Sequence, residues 1–459
     1  MPAVTINYTR PMGAIKPMHG INNAPFHWAN FSLFHYLTEA GIPYSRLHDT
    51  GGIFGSGVYV DIANLFPNFD ADPEDPASYD FPFNDRLLCE LCNAGAKPFY
   101  RLGCTIENDC TTIGPRRIFP PKDAQKWAVI CEHIIRHYNE GWADGHHLHI
   151  EYWEIWNEPD NEPDPMKNPM WRGSPEEYYH LYEVTANHLK ACFPHLKIGG
   201  YASCGFYEIL NKQAQKQANV STRTEYFIEF FEGFLKHITS EEHKSPLDFF
   251  SWHSYSGPDE NVRYAAYARE MLDQYGFEKT ESFLNEWNPG THRRGTVADA
   301  AHIGAMFIAM QHSPVDMLNY YDGQLETSYG GLWNPLTYQP FKAYHVFRAF
   351  NELYVLGTQY PIEGAGADGQ IAPGLYALAA ASIGGNGRAV LLCNIGDTAS
   401  VTVPDGNWRV LPIDNENNLD FIGIACGGDT LEISSETVML LCSAGSMKNG
   451  QAVALASSR

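Results

Sequence analysis

The chain has no apolar run near the roughly 20 residues that a membrane helix needs, and residues 1–7 contain no apolar signal core. On these two absences neither a membrane helix nor a secretory leader is expected, and the expectation is a cytoplasmic protein. Cations are also scarce. Lys and Arg number 31 against 54 Asp and Glu, a formal charge of −23, which repels nucleic acid and anionic membranes. No G-x-G-x-x-G or Walker sequence opens a helix, so no dinucleotide or nucleotide site is expected. The ten cysteines are scattered, and Cys89 and Cys92 form a lone CxxC without a second pair at metal spacing. Buried reduced thiols follow, and neither a metal nor an organic cofactor is expected. Internal repeats, low-complexity tracts and a flexible linker are missing too.

What remains describes a large globular chain. Of its 459 residues 44% are hydrophobic and 19% charged, enough for a large domain and a smaller one. Aromatics reach 13%, a surplus that suits either a sugar-like ring or a core. Apolar segments at 18–23, 44–49, 97–102, 151–158, 197–202, 247–253, 282–286 and 316–321 read as strands. Helical periodicity fills the gaps, for example over 124–138, 297–311 and 342–353, and Ser174-Pro175-Glu176-Glu177 is a capping box with Pro at N1. Eight strand–helix units predict a (β/α)₈ barrel over 11–353. An open doubly wound sheet is disfavoured because its phosphate loop is missing. After 354, glycines and short alternating strands predict an antiparallel β-sandwich over 354–459, with an N-terminal strand within residues 1–10 as an added edge. The Asp- and Pro-rich insertion at 61–82 has no counterpart in this scheme.

Two strands end in a carboxylate. Trp156-Asn157-Glu158-Pro159 closes the fourth strand, because Pro159 cannot continue a ladder. Leu284-Asn285-Glu286-Trp287-Asn288-Pro289 repeats the pattern on the seventh. A carboxylate at the end of an apolar strand is costly unless bonded or used. Strands four and seven face each other across a barrel, and both Glu residues fall at its C-terminal face, where barrel active sites are built. Such a pair can flank a glycosidic bond, one protonated as acid and one ionised as nucleophile. Asn157 is placed to bind a sugar 2-OH, Arg46 to keep Glu286 ionised, and His253 and Tyr255 to orient the nucleophile or the sugar.

Trp-Asn-Glu-Pro at 156–159 and Asn-Glu-Trp-Asn at 285–288 resemble the acid/base and nucleophile motifs of retaining glycosidases with the 4/7 barrel arrangement. Within that clan the chain is most similar to glycoside hydrolase family 39, which includes β-xylosidases and α-L-iduronidases. The resemblance implies a (β/α)₈ barrel and a sandwich that shares an N-terminal strand. It carries acid/base onto Glu158, nucleophile onto Glu286, and sugar or nucleophile contacts onto Asn157, Arg46, His48, His253 and Tyr255. One departure is local: xylosidases resemble His-Gly where this chain has His48-Asp49.

Further residues carry weaker expectations. Trp333 is expected as a platform under the sugar, Asp322 and Gln324 as hydroxyl binders, and His19 as a residue within reach of the pocket. Trp287 is expected to point into the helix layer and Glu154 to be a satisfied core carboxylate. His146, His147 and His149 precede a strand at the opposite face and are not read as a metal site. The sequence thus predicts a retaining glycosidase of short plant-type oligosaccharides, with β-xylose as first choice. Arabinose- or galactose-bearing gum oligosaccharides, an iduronidase-like role and an inactive sugar-binding barrel are the alternatives. No nucleic-acid or membrane partner is expected, and a homo-oligomer is compatible with the sequence.

Overall fold

Eight parallel strands close into a barrel: β1 (Gly20–Asn22), β2 (Tyr44–Leu47), β3 (Lys97–Leu102), β4 (Tyr152–Ile155), β5 (Lys197–Ser203), β6 (Phe249–His253), β7 (Glu281–Trp287) and β8 (Met317–Tyr320). A helix follows each strand: α1 (His35–Ala40), α2 (Pro82–Asn93), α3 (Ala124–Asn139), α4 (Pro175–Cys192), α5 (Thr222–Thr239), α6 (Pro258–Gln274), α7 (Val297–His312) and α8 (Lys342–Leu356). The computed structural model describes residues 2–443 apart from 26, 29–30, 51–59, 107–116, 214–220, 326–328 and 385–386. The expected barrel is present. The helices start where their sequences supply acceptors for free N–H groups. Asp123 caps α3, and Ser174 with Glu177 makes the reciprocal capping box of α4. No helix among the described residues is long and apolar enough to cross a membrane.

The barrel interior is layered, because alternate residues of each strand point inward. Tyr44, Phe99, Tyr152, Phe249, Phe283 and Met317 form an apolar plug near the N-terminal ends of the strands. Two residues further along the strands the filling turns polar, with Arg46, Arg101, Glu154, Ser251 and Asn285 all at 0% exposure. Glu154 is saturated there, accepting from Arg46 Nε at 2.8 Å, Ser251 Oγ at 2.6 Å and Asn285 Nδ2 at 2.6 Å. It is the satisfied core carboxylate the sequence predicted. The polar layer is the floor of the site above it.

The segment after α8 forms an antiparallel sheet in the order Gly13–Ala14, Thr358–Tyr360, Leu375–Ala381, Arg388–Asn394, Thr437–Ser443, Asn407–Ile413, Gly423–Cys426. Its alternation divides two cores. Tyr376, Leu378, Leu391, Cys393, Leu440 and Cys442 join the barrel core, whereas Ala377, Val390, Leu392, Met439 and Leu441 join a second cluster with Trp408 and Val401. The expected sandwich is therefore lopsided: among the described residues its second layer is the pair Ala399–Thr402 and Thr430–Ile433, plus the N-terminal segment. That segment differs from the expected strand. Ala3 bridges Thr402 and Ile6 bridges Ile362 as isolated pairs, because the chain passes from one sheet to the other within a few residues. On the barrel side, α7 is apolar all round and is buried against α8 and the sheet. Gly304 permits that approach, since a Cβ there would strike Cys393 Sγ.

The insertion at 61–82 contains short helices at Ile62–Leu65 and Pro76–Ser78. Asp61 anchors it to the barrel. Its fully buried carboxylate accepts from Arg101 at 2.7 Å and Arg117 at 3.1 Å.

Candidate active site

Glu158 and Glu286 meet above the polar layer. One oxygen of each, together with a ring nitrogen of His253, lie within 4.8 Å of one another. Glu286 reaches this position through a register shift in β7 between Leu284 and Glu286. Strict alternation would turn one of two consecutive residues outward; the shift lets Asn285 bond Glu154 below while Glu286 faces the site. At the other strand end, Trp156 and Glu158 take left-handed backbone angles, φ 75° and 45°. The chain turns sharply there, and the Glu158 amide is held by the Ala202 carbonyl.

Each carboxylate has its own set of donors. Tyr255 donates to Glu286 Oε1 at 2.5 Å, and Arg46 Nη1 lies 3.4 Å from Glu286 Oε2. Glu158 Oε1 accepts from His253 Nδ1 at 2.7 Å and Oε2 from Asn161 Nδ2 at 2.6 Å. His253 Nδ1 is also 3.5 Å from Glu286 Oε2, so one imidazole serves both carboxylates. Arg46 Nη2 donates to Asn157 Oδ1 at 2.5 Å, which fixes the Asn157 amide, and Nη1 donates to Asn22 at 2.9 Å.

These contacts determine where the protons sit. Burial pushes Glu286 up, and the neighbouring Glu158 charge adds to it, against His253 and Arg46. Burial also acts on Glu158, but the bond and charge of His253, with Asn161 and Cys204, outweigh it and bring Glu158 down. Burial lowers the basicity of His253, yet the two carboxylates more than reverse this and raise its pKa. Arg46 is largely committed to Glu154. Both shifts favour a proton on His253, which faces Glu158 across 2.7 Å. Such a coupled pair holds the proton jointly.

A second acidic group borders Glu286. Asp49 Oδ2 accepts from Tyr321 Oη at 3.0 Å, Oδ1 from the Ile106 amide at 3.1 Å, and its carbonyl from Gln324 at 2.8 Å. Burial and then the Glu286 charge push Asp49 up to about 7. Asp322 is likewise pushed up to about 7 by burial, with Gln324 Nε2 3.3 Å from its Oδ2. His48 is held neutral by burial and the nearby Arg101 and Arg46. Its Nε2 lies 3.2 Å from Asp49 Oδ1, so Nε2 carries the hydrogen and the buried Nδ1 is left as an acceptor without a partner among the described residues. The Asp49 backbone has φ 56°, a left-handed angle that glycine adopts freely and Asp tolerates. A glycine would fit this turn as readily as Asp49 does.

The structure brings together Glu158, Glu286, Arg46, His48, Asn157, His253, Tyr255 and Asp322, and it corrects two expectations. Trp333 is buried with its ring stacked on Tyr36 at 6.1 Å and tilted against Tyr344, so it has no open face for a sugar. His19 precedes β1 instead of following it; it bonds the Gly41 carbonyl and packs between Phe350 and Tyr354 at the N-terminal end of the barrel. Trp287 does point into the helix layer, against Phe307 and Tyr320. Sequence reasoning missed Asn161, Asn22 and Cys204. Asn161 had a signal, three positions past Glu158 in the same turn; Asn22 and Cys204 lie at strand ends that carry no motif.

Barrel, paired carboxylates and strand-end placement together define a glycosidase-type site, and comparison with known proteins gives the family. Residues 46–308 match the model of glycosyl hydrolases family 39, and the chain belongs to that family. It is 26% identical over 242 residues to a beta-xylosidase of Geobacillus stearothermophilus, covering 51% of this chain and 42% of that one. A beta-xylosidase of Caldicellulosiruptor saccharolyticus is 26% identical over 215 residues, covering 44% and 40%. The matches thus span about two fifths of these relatives' length. Among solved structures, a glucosidase from Croceicoccus marinus shares the fold with TM-score 0.74 at 21% identity, covering 96% of this chain and 98% of that one. A monomeric beta-xylosidase from Caulobacter crescentus gives 0.64 at 15%, covering 96% and 99%.

Proposed function

We propose that the protein is a retaining glycoside hydrolase of short oligosaccharides with a neutral terminal sugar, β-xylose first. The observation that carries this is the Glu158–Glu286 approach, within 4.8 Å for one oxygen of each. Retaining enzymes hold their carboxyls about 5–5.5 Å apart, and inverting enzymes leave about 6.5–9.5 Å for a water. Glu286 attacks the anomeric carbon as Glu158 protonates the departing oxygen, which leaves a glycosyl ester on Glu286. Glu158 then takes a proton from water, the water attacks that carbon, and sugar and carboxylate are released. The stored proton reaches Glu158 from His253. Substrate drives out water, and in the drier site an uncharged His253 beside a protonated Glu158 costs less than the separated charges. Asn157, held by Arg46, faces the sugar 2-OH, and His48 Nδ1 accepts from a hydroxyl.

The xylose preference rests on the two beta-xylosidase relatives. A uronic acid would bring its carboxylate toward Glu286, Asp49 and Asp322, which disfavours the iduronidase alternative. A panel of aryl pentosides, hexosides and uronides tests the reading. Turnover confined to hexosides would overturn xylose. Sugar binding without turnover of any glycoside would make the protein a binding barrel.

Asp49 is the residue through which this site departs from the His-Gly pattern. Asp49→Gly keeps the left-handed turn but removes the acceptor of Tyr321 and the neighbour of His48. We expect the ratio of kcat/KM for xyloside over glucoside to change about tenfold, equivalent to roughly one hydrogen bond of 1.4 kcal/mol. Parallel kinetics on the two aryl glycosides read it; a ratio within twofold of the parent would clear Asp49 of any part in sugar choice.

A further inference from the structure

We propose a transition-metal site, best suited to Zn²⁺, on the outside of the barrel at Asp85, His137 and His146. One ligand atom from each lies within 4.8 Å of the others. Asp85 is on α2, His137 in the last turn of α3, and His146 in the loop that leads to β4. The site is at the N-terminal end of the strands, away from the carboxylate pair.

The hydrogen bonds of His137 carry the argument. Its Nδ1 is 2.8 Å from the Trp142 carbonyl and its Nε2 is 2.9 Å from Asp85 Oδ1. The Trp142 carbonyl takes the Nδ1 hydrogen, so the ring, 2% exposed, aims Nε2 at the Asp85 carboxylate. A carbonyl on the far nitrogen is the usual support of a ligating histidine, because it fixes the tautomer that bares Nε2. His146 Nε2 approaches the other oxygen, Asp85 Oδ2, at 3.6 Å. The two imidazoles stand perpendicular, at 89° with centroids 5.6 Å apart, so their nitrogens converge instead of stacking. Cys89, one helical turn beyond Asp85, puts its sulfur 3.6 Å from His146 Nδ1 and 4.0 Å from Nε2, and is a candidate for a fourth ligand. A nitrogen, oxygen and sulfur donor set of this kind suits tetrahedral zinc. Asp85 and His146 are partly exposed, which gives an ion access from solvent.

Two similar groups lack this geometry. His237 and His243 stack in parallel, 4.3 Å apart at 11°, so their lone pairs run side by side toward Glu183. Glu132, near His188 and Cys192, already holds Arg136 at 2.7 Å. All three groups bring one ligand atom of each residue within 4.8 Å of the others; they differ in how the rings are set and in what the carboxylate already holds.

Chelator-treated full-length protein is titrated with Zn²⁺ by calorimetry and with Co²⁺ by visible absorption. One equivalent is expected to bind at this site, and His146→Ala, on a half-exposed loop, should weaken it at least tenfold with the protein still folded by circular dichroism. His243→Ala should leave it unchanged. Cys89→Ser separates the ligand sets: loss of a thiolate-to-cobalt band places sulfur on the metal, and an unchanged spectrum means that water completes the three-residue site. The proposal is overturned if no stoichiometric metal binds, if His146→Ala binds as the parent does, or if His243→Ala removes the binding. Metal binding is read without any substrate, so its outcome is independent of the glycosidase reading.

Discussion

Glu286→Gln should reduce turnover of every aryl glycoside by about 10⁵-fold or more, about 7 kcal/mol in activation free energy at 1.36 kcal/mol per decade. The amide keeps the shape and one acceptor oxygen, enough for either Tyr255 (2.5 Å from Oε1) or Arg46 (3.4 Å from Oε2), but it cannot form the glycosyl ester. Substrate affinity should change little, because the contacts assigned to Asn157 and His48 remain. The decisive measurement uses Glu286→Gly with azide. The small anion fills the space of the missing carboxylate and attacks the anomeric carbon directly, so the product is a glycosyl azide of inverted configuration. A Glu286→Gln protein that turns over at more than a hundredth of the parent rate would sink the nucleophile assignment. So would an azide product of retained configuration.

Removal of the other carboxylate has a different signature. Glu158→Ala should lower kcat by about 10²–10⁴-fold for poor leaving groups, the usual range for a general acid. Activated dinitrophenyl glycosides should lose far less, because their oxygen departs without a proton. Azide should restore turnover and yield a glycosyl azide of retained configuration, since Glu286 still forms the ester. The pH profile gives a second test. In the parent, one proton must reside on the His253–Glu158 pair while Glu286 is ionised. The acid limb therefore follows Glu286, whose pKa burial raises above the ordinary carboxylate range. The alkaline limb follows loss of the shared proton, held by a histidine whose carboxylate neighbours raise its pKa. With Glu158→Ala on an activated substrate, the alkaline limb should vanish and the acid limb should stay. An alkaline limb that persists there would mean that the shared proton is not the catalytic one.

Much of this was legible without coordinates, for definable reasons. The barrel strands read correctly because they are short and most are apolar and stopped by Gly, Pro or a carboxylate, and Glu158 and Glu286 stood out because charge at such ends is costly. Strand order brought Arg46 near Glu286 and left Tyr255 to orient either the nucleophile or the sugar; the structure has both beside Glu286. The double service of His253 did not follow from it. Spacing places it on β6 but says nothing of which nitrogen faces which oxygen. His19 was misread because it stands at the opening of the first strand, the end of the barrel opposite the carboxylate pair. Trp333 was misread because an aromatic in a Gly-rich loop looks the same whether it faces a ligand or, as here, Tyr36 and Tyr344. The pairing of Asp85 with His137 and His146 joins residues from two helices and a loop, and no short motif encodes it.

The contact of Gly304 on α7 with Cys393 of the antiparallel sheet bears on how the molecule comes apart. Helices of a free-standing barrel keep one wet face. Here α7 has none, and its buried residues run all the way round. A barrel cut away from its sheet would therefore offer a sticky strip to its neighbours instead of a soluble surface. The shared core argues for one cooperative body, in which heat or denaturant should release sheet and barrel in a single transition.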